Sequence, residues 1–220
     1  MIAKQLIVDG ILPLKTSDTG KAALGWMDDY KVSHLPIVNN QKFLGLISEL
    51  DIYNLNNFDE PLGNHSLSLI QPYVKENQHI YDVLKLVNAL GLTLIPVLSE
   101  NEDYLGSITL QNLLKYFAES LSVDNPGGII VLETAYNNYS LTEIANIVES
   151  NDAKILSTYI FNHEDSTRIE IVIKINKLDI AAILKTFDRY GYFVKASFNE
   201  DTDIDDLKDR YNILMNYLNV

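Results

Sequence analysis

Apolar residues recur at Ala23, Leu24 and Met27, and again at Val83, Leu84 and Val87. That spacing lines one side of a short helix. Each predicted helix runs into a short apolar strand, LPIV or IPVL. A polar turn follows, NNQK or SENED, and then a second strand, FLGLI or YLGSI. Aligning Pro36 with Pro96 lays DTGKAALGWMDDYKVSHLPIV over QHIYDVLKLVNALGLTLIPVL. Both copies close on one phrase: GLISELD from Gly45 and GSITLQN from Gly106. Each phrase holds a glycine, a hydroxyl residue three positions on, and an acid or amide three positions after that. A further helix is expected from about Leu50 and Leu110, with Ser48 and Thr109 near its start. Two helix-strand-strand-helix units thus fill roughly residues 7–120. The expected domains are 1–60 and 61–121, joined by the turn-rich NNFDEPLGNHS.

A second break falls at SVDNPGG, and the pattern then changes. GIIVLET reads as a strand and SLTEIANIVESN as a helix, with Ser140 as N-cap and Glu143 completing a capping box. AKILSTYIF and TRIEIVIKI alternate as strands, LDIAAILKTFDRYG reads as a helix stopped by Gly191, and YFVKASF as a last strand. The order β-α-β-β-α-β over residues 127–200 is ferredoxin-like, so the expected class is mixed α/β (α+β). Two helices cover one face of such a sheet and leave the other in need of a partner. The remaining segment, 201–220, begins acidic and places Ile213, Leu214, Tyr217 and Leu218 on one helical side. A C-terminal helical tail is expected there, covering exposed surface or joining a dimer contact, with a frayed end as the other reading.

Composition narrows the function classes. Thirty acidic against seventeen basic residues give a net charge of -13, and no basic run resembles a phosphate-backbone footprint, so nucleic acid is not an expected partner. The chain has no cysteine, which removes disulfides, thiolate catalysis and zinc-thiolate sites. Histidines 34, 65, 79 and 163 lack close ligand spacing, so no metal is expected, and His65 reads as a solvated turn residue. No apolar run reaches the roughly 18 residues of a membrane span, and the first residues lack a signal-peptide pattern. A cytoplasmic protein is expected. Phosphate loops and a G-x-S-x-G motif are absent, and no catalytic residues are assigned.

The hydroxyl and the acid of the repeated phrase admit two readings. They can cap a helix, or they can converge on one ligand. Ionised Asp51 is acceptor-only and suits the two donors of a ribose diol. Ser48 and the first helical N–H groups can face a phosphate. Asn112, neutral, is a weaker diol receiver, so the first copy is the expected better site.

The stretches SHLPIV…FLGLISELD and TLIPVL…YLGSITLQN resemble the signature of a tandem CBS domain pair. That resemblance implies an adenosine nucleotide or related adenosyl ligand held in clefts between the copies. Ser48 and Asp51, with Thr109 and Asn112, would then contact phosphate and ribose. Ser33, His34 and Leu35, with Thr93, Leu94 and Ile95, would hold the adenine. Lys15, Thr16 and Ser17, with Val74 and Lys75, would line the cleft walls. Glu76, on a wall facing phosphate, departs from the pattern and weighs against the second site, as Asn112 does. Residues 127–198 resemble an ACT domain, which implies pairing through the sheet and places Asn137, Asn138 and Ser140 where an amino acid could sit. The order CBS, CBS, ACT is similar to bacterial acetoin-utilisation proteins. The expected function is a homodimeric regulatory or sensor protein answering a small-molecule effector and acting on an unknown downstream protein. The other reading is a non-catalytic structural or interaction protein with vacant clefts.

Overall fold

The computed structural model describes residues 1–65, 67, 69–162 and 167–199. The expected helix at 201–220 and the turn around His163 lie outside the described residues. The chain divides into two compact units, Met1–Tyr116 and Phe117–Val220.

The first unit carries both copies as far as Tyr116. Copy one comprises α1 (Gly20–Tyr30), β1 (His34–Asn39), β2 (Lys42–Ser48) and α2 (Glu49–Tyr53). Copy two comprises β3 (Val74–Lys75), α3 (Ile80–Leu90), β4 (Leu94–Leu98), β5 (Tyr104–Thr109) and α4 (Leu110–Ser120). Of the predicted stripe, Ala23 and Val83 are fully buried and Met27 and Val87 nearly so, while Leu24 and Leu84 are half-buried at its edge. Thr19 caps α1 through its hydroxyl, and His79 caps α3 through its ring. Each strand pair is antiparallel with a bulge, between Ile37 and Val38 in one copy and Val97 and Leu98 in the other.

The sheets are completed by exchange. The Val8 amide donates to the Ser107 carbonyl of copy two at 3.0 Å, while the Leu46 amide of copy one donates to the Ile70 carbonyl at 2.8 Å. Ala3 and Lys4 likewise bond to the Gln78 and Glu76 carbonyls. The segment preceding each copy therefore pairs with the other copy. This crossing explains the glycine of the repeated phrase. Gly45 sits at φ +154 where a Cβ would come within 2.6 Å of Leu69, and Gly106 at φ +152 where it would come within 2.5 Å of Ile7. The close approach and the positive φ both demand glycine.

The second unit has β6 (Gly128–Ala135), α5 (Leu141–Glu149), β7 (Ile155–Asn162), β8 (Arg168–Ile175), α6 (Ala181–Arg189) and β9 (Phe193–Asn199). Its antiparallel sheet runs β7-β8-β6-β9, the ferredoxin-like order. Ile130, Leu132, Ile171, Ile173, Ile144 and Phe187 form a core between one sheet face and the two helices. Two expectations need correction. The Ser140 hydroxyl accepts from the Glu143 amide at 3.3 Å, but Glu143 does not return the bond: its Oε2 accepts from the Tyr192 hydroxyl at 2.7 Å. A buried phenol competes better for that carboxylate than an amide at the helix start. Burial, and then this bond, raise the Tyr192 pKa well above the ordinary phenol value. His65 is only half exposed, and its Nε2 is shielded from solvent rather than solvated.

Candidate functional site

The repeated phrase folds into the same turn twice. In copy one, the Ser48 hydroxyl accepts from the Asp51 amide at 3.1 Å, and Asp51 Oδ2 accepts from the Ser48 amide at 2.8 Å and the Ser48 hydroxyl at 2.7 Å. This is a complete capping box. Among the described residues, all bonds to the Asp51 carboxylate come from Ser48 and fall on one oxygen. Asp51 is exposed. In copy two, the Thr109 hydroxyl accepts from the Asn112 amide at 3.1 Å, but the Asn112 side chain turns elsewhere: its Nδ2 donates to the Leu6 carbonyl at 2.8 Å. Thr109 is 6% exposed and Asn112 half-buried. An amide can donate to a carbonyl and an ionised carboxylate cannot, so the difference between Asn and Asp decides which copy can anchor the N-terminal crossing segment.

Ser33 and His34 of copy one meet Thr93 of copy two. The Thr93 hydroxyl accepts from the Ser33 amide at 2.9 Å and lies 3.1 Å from His34 Nδ1. Burial lowers the His34 pKa below 6.5, and the charge of Asp51 opposes that shift. A neutral ring with an unprotonated Nδ1 fits the Thr93 hydroxyl as donor to it. Ser33, His34 and Ser48, together with Glu49, Leu50 and Tyr53, line an open cavity of about 460 Å³. A neighbouring cavity of about 400 Å³ shares Ser33, Glu49 and Tyr53 and extends to Met27, Asp28 and Lys31. Sequence reasoning missed Glu49, Leu50 and Tyr53. Leu50 and Tyr53 are apolar or aromatic yet 72% and 56% exposed on α2, a signal invisible without knowing which side of a five-residue helix faces the core.

Other expected site residues are placed differently. Leu35, Val74, Leu94 and Ile95 are buried to within 1%, so their side chains belong to the core and only their backbone remains for a ligand. Lys15, Thr16 and Ser17 line neither cavity. Thr16 is engaged with Asn39, whose Nδ2 donates to its hydroxyl at 2.8 Å. Lys75 pairs with Glu100 at 3.4 Å, and Glu76 with Lys4 at 2.7 Å. The wall expected to face phosphate in copy two is thus occupied by internal ion pairs. A cavity of about 280 Å³ beside α3 includes Val74 but not Thr93, Thr109 or Asn112. In the second unit, Asn137 and Asn138 are exposed on a single 3-10 turn and Ser140 serves as a helix cap. Among the described residues no group of His, Asp or Glu could hold a metal ion, and no helix is long and apolar enough to cross a membrane.

The family model described as "CBS domain" matches residues 9–56 and 70–119. These segments are a tandem pair of CBS domains. An inosine-5'-monophosphate dehydrogenase of Methanocaldococcus jannaschii is 24% identical over 114 residues, 51% of this chain. The match spans 23% of that enzyme's length and covers only the CBS region. Among solved structures, a CBS domain pair/ACT domain protein from Thermotoga maritima is 23% identical, covering 55% of this chain and 99% of that one with a TM-score of 0.49. A protein called CBSX2, crystallised in complex with AMP, is 16% identical, covering 54% of this chain and 96% of that one with a TM-score of 0.47. In the CBS pair described here, the exchanged segments, the bulged strand pairs and the capped turns occupy equivalent positions. At the acid-or-amide position of the repeated phrase the two domains differ, Asp51 against Asn112.

Proposed function

We propose that the protein is a regulatory or sensor module whose first CBS domain takes an adenosine-containing ligand. The observation that carries this reading is the cavity beside Ser33, His34 and Ser48, which lies one turn from an exposed carboxylate with an oxygen outside its own cap. A ribose diol donates two hydrogen bonds and matches that acceptor, and CBS pairs commonly bind such ligands. In the second CBS domain the equivalent amide is tied to Leu6 and the adjacent charges are paired. One ligand per chain is the expected stoichiometry. The protein acts without catalysis: a ligand that favours one arrangement of the CBS pair shifts its population, by no more than its differential affinity for the two states. The ferredoxin-like unit serves as an ACT-type dimerisation or relay element, the whole is a homodimer, and the signal passes to a partner protein.

A second reading is favoured by the capping box itself. Ser48 and Asp51 satisfy one another, which a purely structural or interaction protein with vacant clefts would equally require. Calorimetry against AMP, ADP, ATP, S-adenosylmethionine and cyclic dinucleotides separates the two. A saturable heat at one ligand per chain supports the sensor, while no heat and no thermal shift from any compound at millimolar concentration supports the second reading. Sedimentation at micromolar concentration tests the homodimer, and a full-length monomer would exclude it.

A further inference from the structure

The charges and hydrogen bonds around the two cavities of the first CBS domain bear on what a ligand there can carry. Glu49, half-buried at the start of α2, borders both cavities, and Asp28 borders the smaller. Lys31 is the only lysine or arginine among the lining residues, and its Nζ lies 3.0 Å from Asp28 Oδ1. His34 adds no positive charge at neutral pH, because burial holds its pKa below the ordinary imidazole value, although the Asp51 charge opposes that shift. Two carboxylates thus stand against one ammonium that is already paired, and Asp51 is exposed on the same short helix as Glu49. The groups that would hold a phosphate are engaged within the protein. The Ser48 hydroxyl donates to Asp51 Oδ2 at 2.7 Å, and the Ser48 amide donates to the same oxygen at 2.8 Å. The Asp51 amide donates to the Ser48 hydroxyl at 3.1 Å, the Glu49 amide to the Ser33 carbonyl at 3.0 Å, and the Tyr53 hydroxyl to Glu49 Oε1 at 3.1 Å.

We propose that this site selects adenosine ligands whose 5′ group is uncharged or cationic, and that each phosphate on that group weakens binding. The proposal rests on the reading above that the first CBS domain takes an adenosine-containing ligand. Because Glu49 borders both cavities, a 5′ group entering either of them meets its carboxylate. A 5′ hydroxyl or a 5′ ammonium can donate a hydrogen bond to that carboxylate, whereas an ionised phosphate oxygen, like the carboxylate itself, can only accept. A phosphate would therefore meet a like charge in a partly buried space, where water screens it less than in bulk. It would also have to break the cap of α2 to gain the Ser48 donors. The net charge of -13 adds a long-range repulsion of the same sign. The ribose diol fits this environment for the reason that phosphate does not: it donates, and the site is rich in acceptors.

Calorimetric titration of the full chain at low salt with 5′-amino-5′-deoxyadenosine, adenosine, AMP and ATP tests this, because the 5′ groups run from cationic through neutral to increasingly anionic. Affinity is expected to fall in that order, with AMP binding roughly fivefold more weakly than adenosine, the size of one like-charge contact across several ångströms of partly screened space, and ATP more weakly still. Added salt is expected to narrow the gap between adenosine and ATP. Glu49→Gln removes the charge and keeps an oxygen that can accept from the Tyr53 hydroxyl, so this variant is expected to narrow the same gap several-fold. AMP or ATP binding at least as tightly as adenosine overturns the charge selection and leaves the sensor reading standing. Absence of binding by all four compounds overturns both. A gap unchanged in a folded Glu49→Gln chain overturns the role of Glu49. The wild-type series alone decides the selection where the variant is unstable.

Discussion

The two CBS domains write one phrase with different last letters, and the difference decides what each turn can still do. In the first, Asp51 closes the cap through one carboxylate oxygen and remains exposed. In the second, Asn112 leaves the capping to Thr109 and its own backbone amide, and its side chain holds the Leu6 carbonyl. A duplicated fold thus keeps its cap in both places while the spare hydrogen-bonding capacity stays on the exposed Asp51 carboxylate in one and goes to the chain's own N-terminal segment in the other. The glycines show the same kind of divergence. Gly45 faces the Leu69 side chain and a backbone carbonyl, that of Ile70 at 2.9 Å, whereas Gly106 faces only the side chain of Ile7.

The largest effects should come from these glycines. Gly45→Ala and Gly106→Ala should each destabilise the CBS pair by about 2–4 kcal/mol, through backbone strain and overpacking, measured by urea denaturation. Adding Ile7→Ala should recover part of the loss for Gly106→Ala, because a movable side chain is the obstacle there. No side-chain truncation should rescue Gly45→Ala to the same extent, because the Ile70 carbonyl stays in place. Equal rescue at both positions would remove the distinction.

Next in size, Asp51→Ala should weaken an adenosine ligand by about 1.5–3 kcal/mol, the range for hydrogen bonds to a charged group, or roughly 10- to 150-fold. Asn112→Ala should leave that affinity unchanged and instead cost about 1–2 kcal/mol of stability, since the Leu6 carbonyl loses its donor. Asn112→Asp sharpens the point. An ionised carboxylate cannot donate to Leu6, so this near-isosteric change should destabilise at least as much as Asn112→Ala at neutral pH, by thermal denaturation, and should not create a second binding site.

The smallest effect concerns His34. Its folded pKa lies below the unfolded value of 6.5 because burial disfavours the charged ring. The folded state therefore binds fewer protons, and stability rises with pH through this window. The contribution is present above pH 6.5 and lost as pH falls through the lowered folded pKa. His34→Gln should flatten that part of the stability curve. A curve of unchanged slope between wild type and variant would dissociate His34 from it.

Much of this was legible in the sequence because the forces are local. Helix stripes at Ala23 and Met27, the caps at Ser48, Thr109 and Ser140, and the βαββαβ order all rest on residues within a few positions of one another. The exchange of segments was not legible: Val8 pairs with Ser107 across about a hundred residues, and nothing in MIAKQLIV distinguishes a strand that joins the near copy from one that joins the far. The same reach hid the partner of Asn112 and the diversion of Glu143 to Tyr192. At the candidate site, the types Ser, Asp and Asn were readable, but their remaining hydrogen-bonding capacity was not, because it depends on which distant backbone groups arrive first. Leu35, Leu94 and Ile95, which the resemblance placed beside adenine, illustrate the converse, since a family pattern gives their position along the chain and only burial reveals that their side chains are core.

The asymmetry between the two CBS domains is tested most directly by calorimetric titration of AMP into the wild-type chain, Asp51→Ala and Asn112→Ala. The expected result is one site per chain, weakened at least tenfold by Asp51→Ala and unchanged in affinity by Asn112→Ala. Two equivalent sites per chain, or an affinity that depends on Asn112 and not on Asp51, would contradict it.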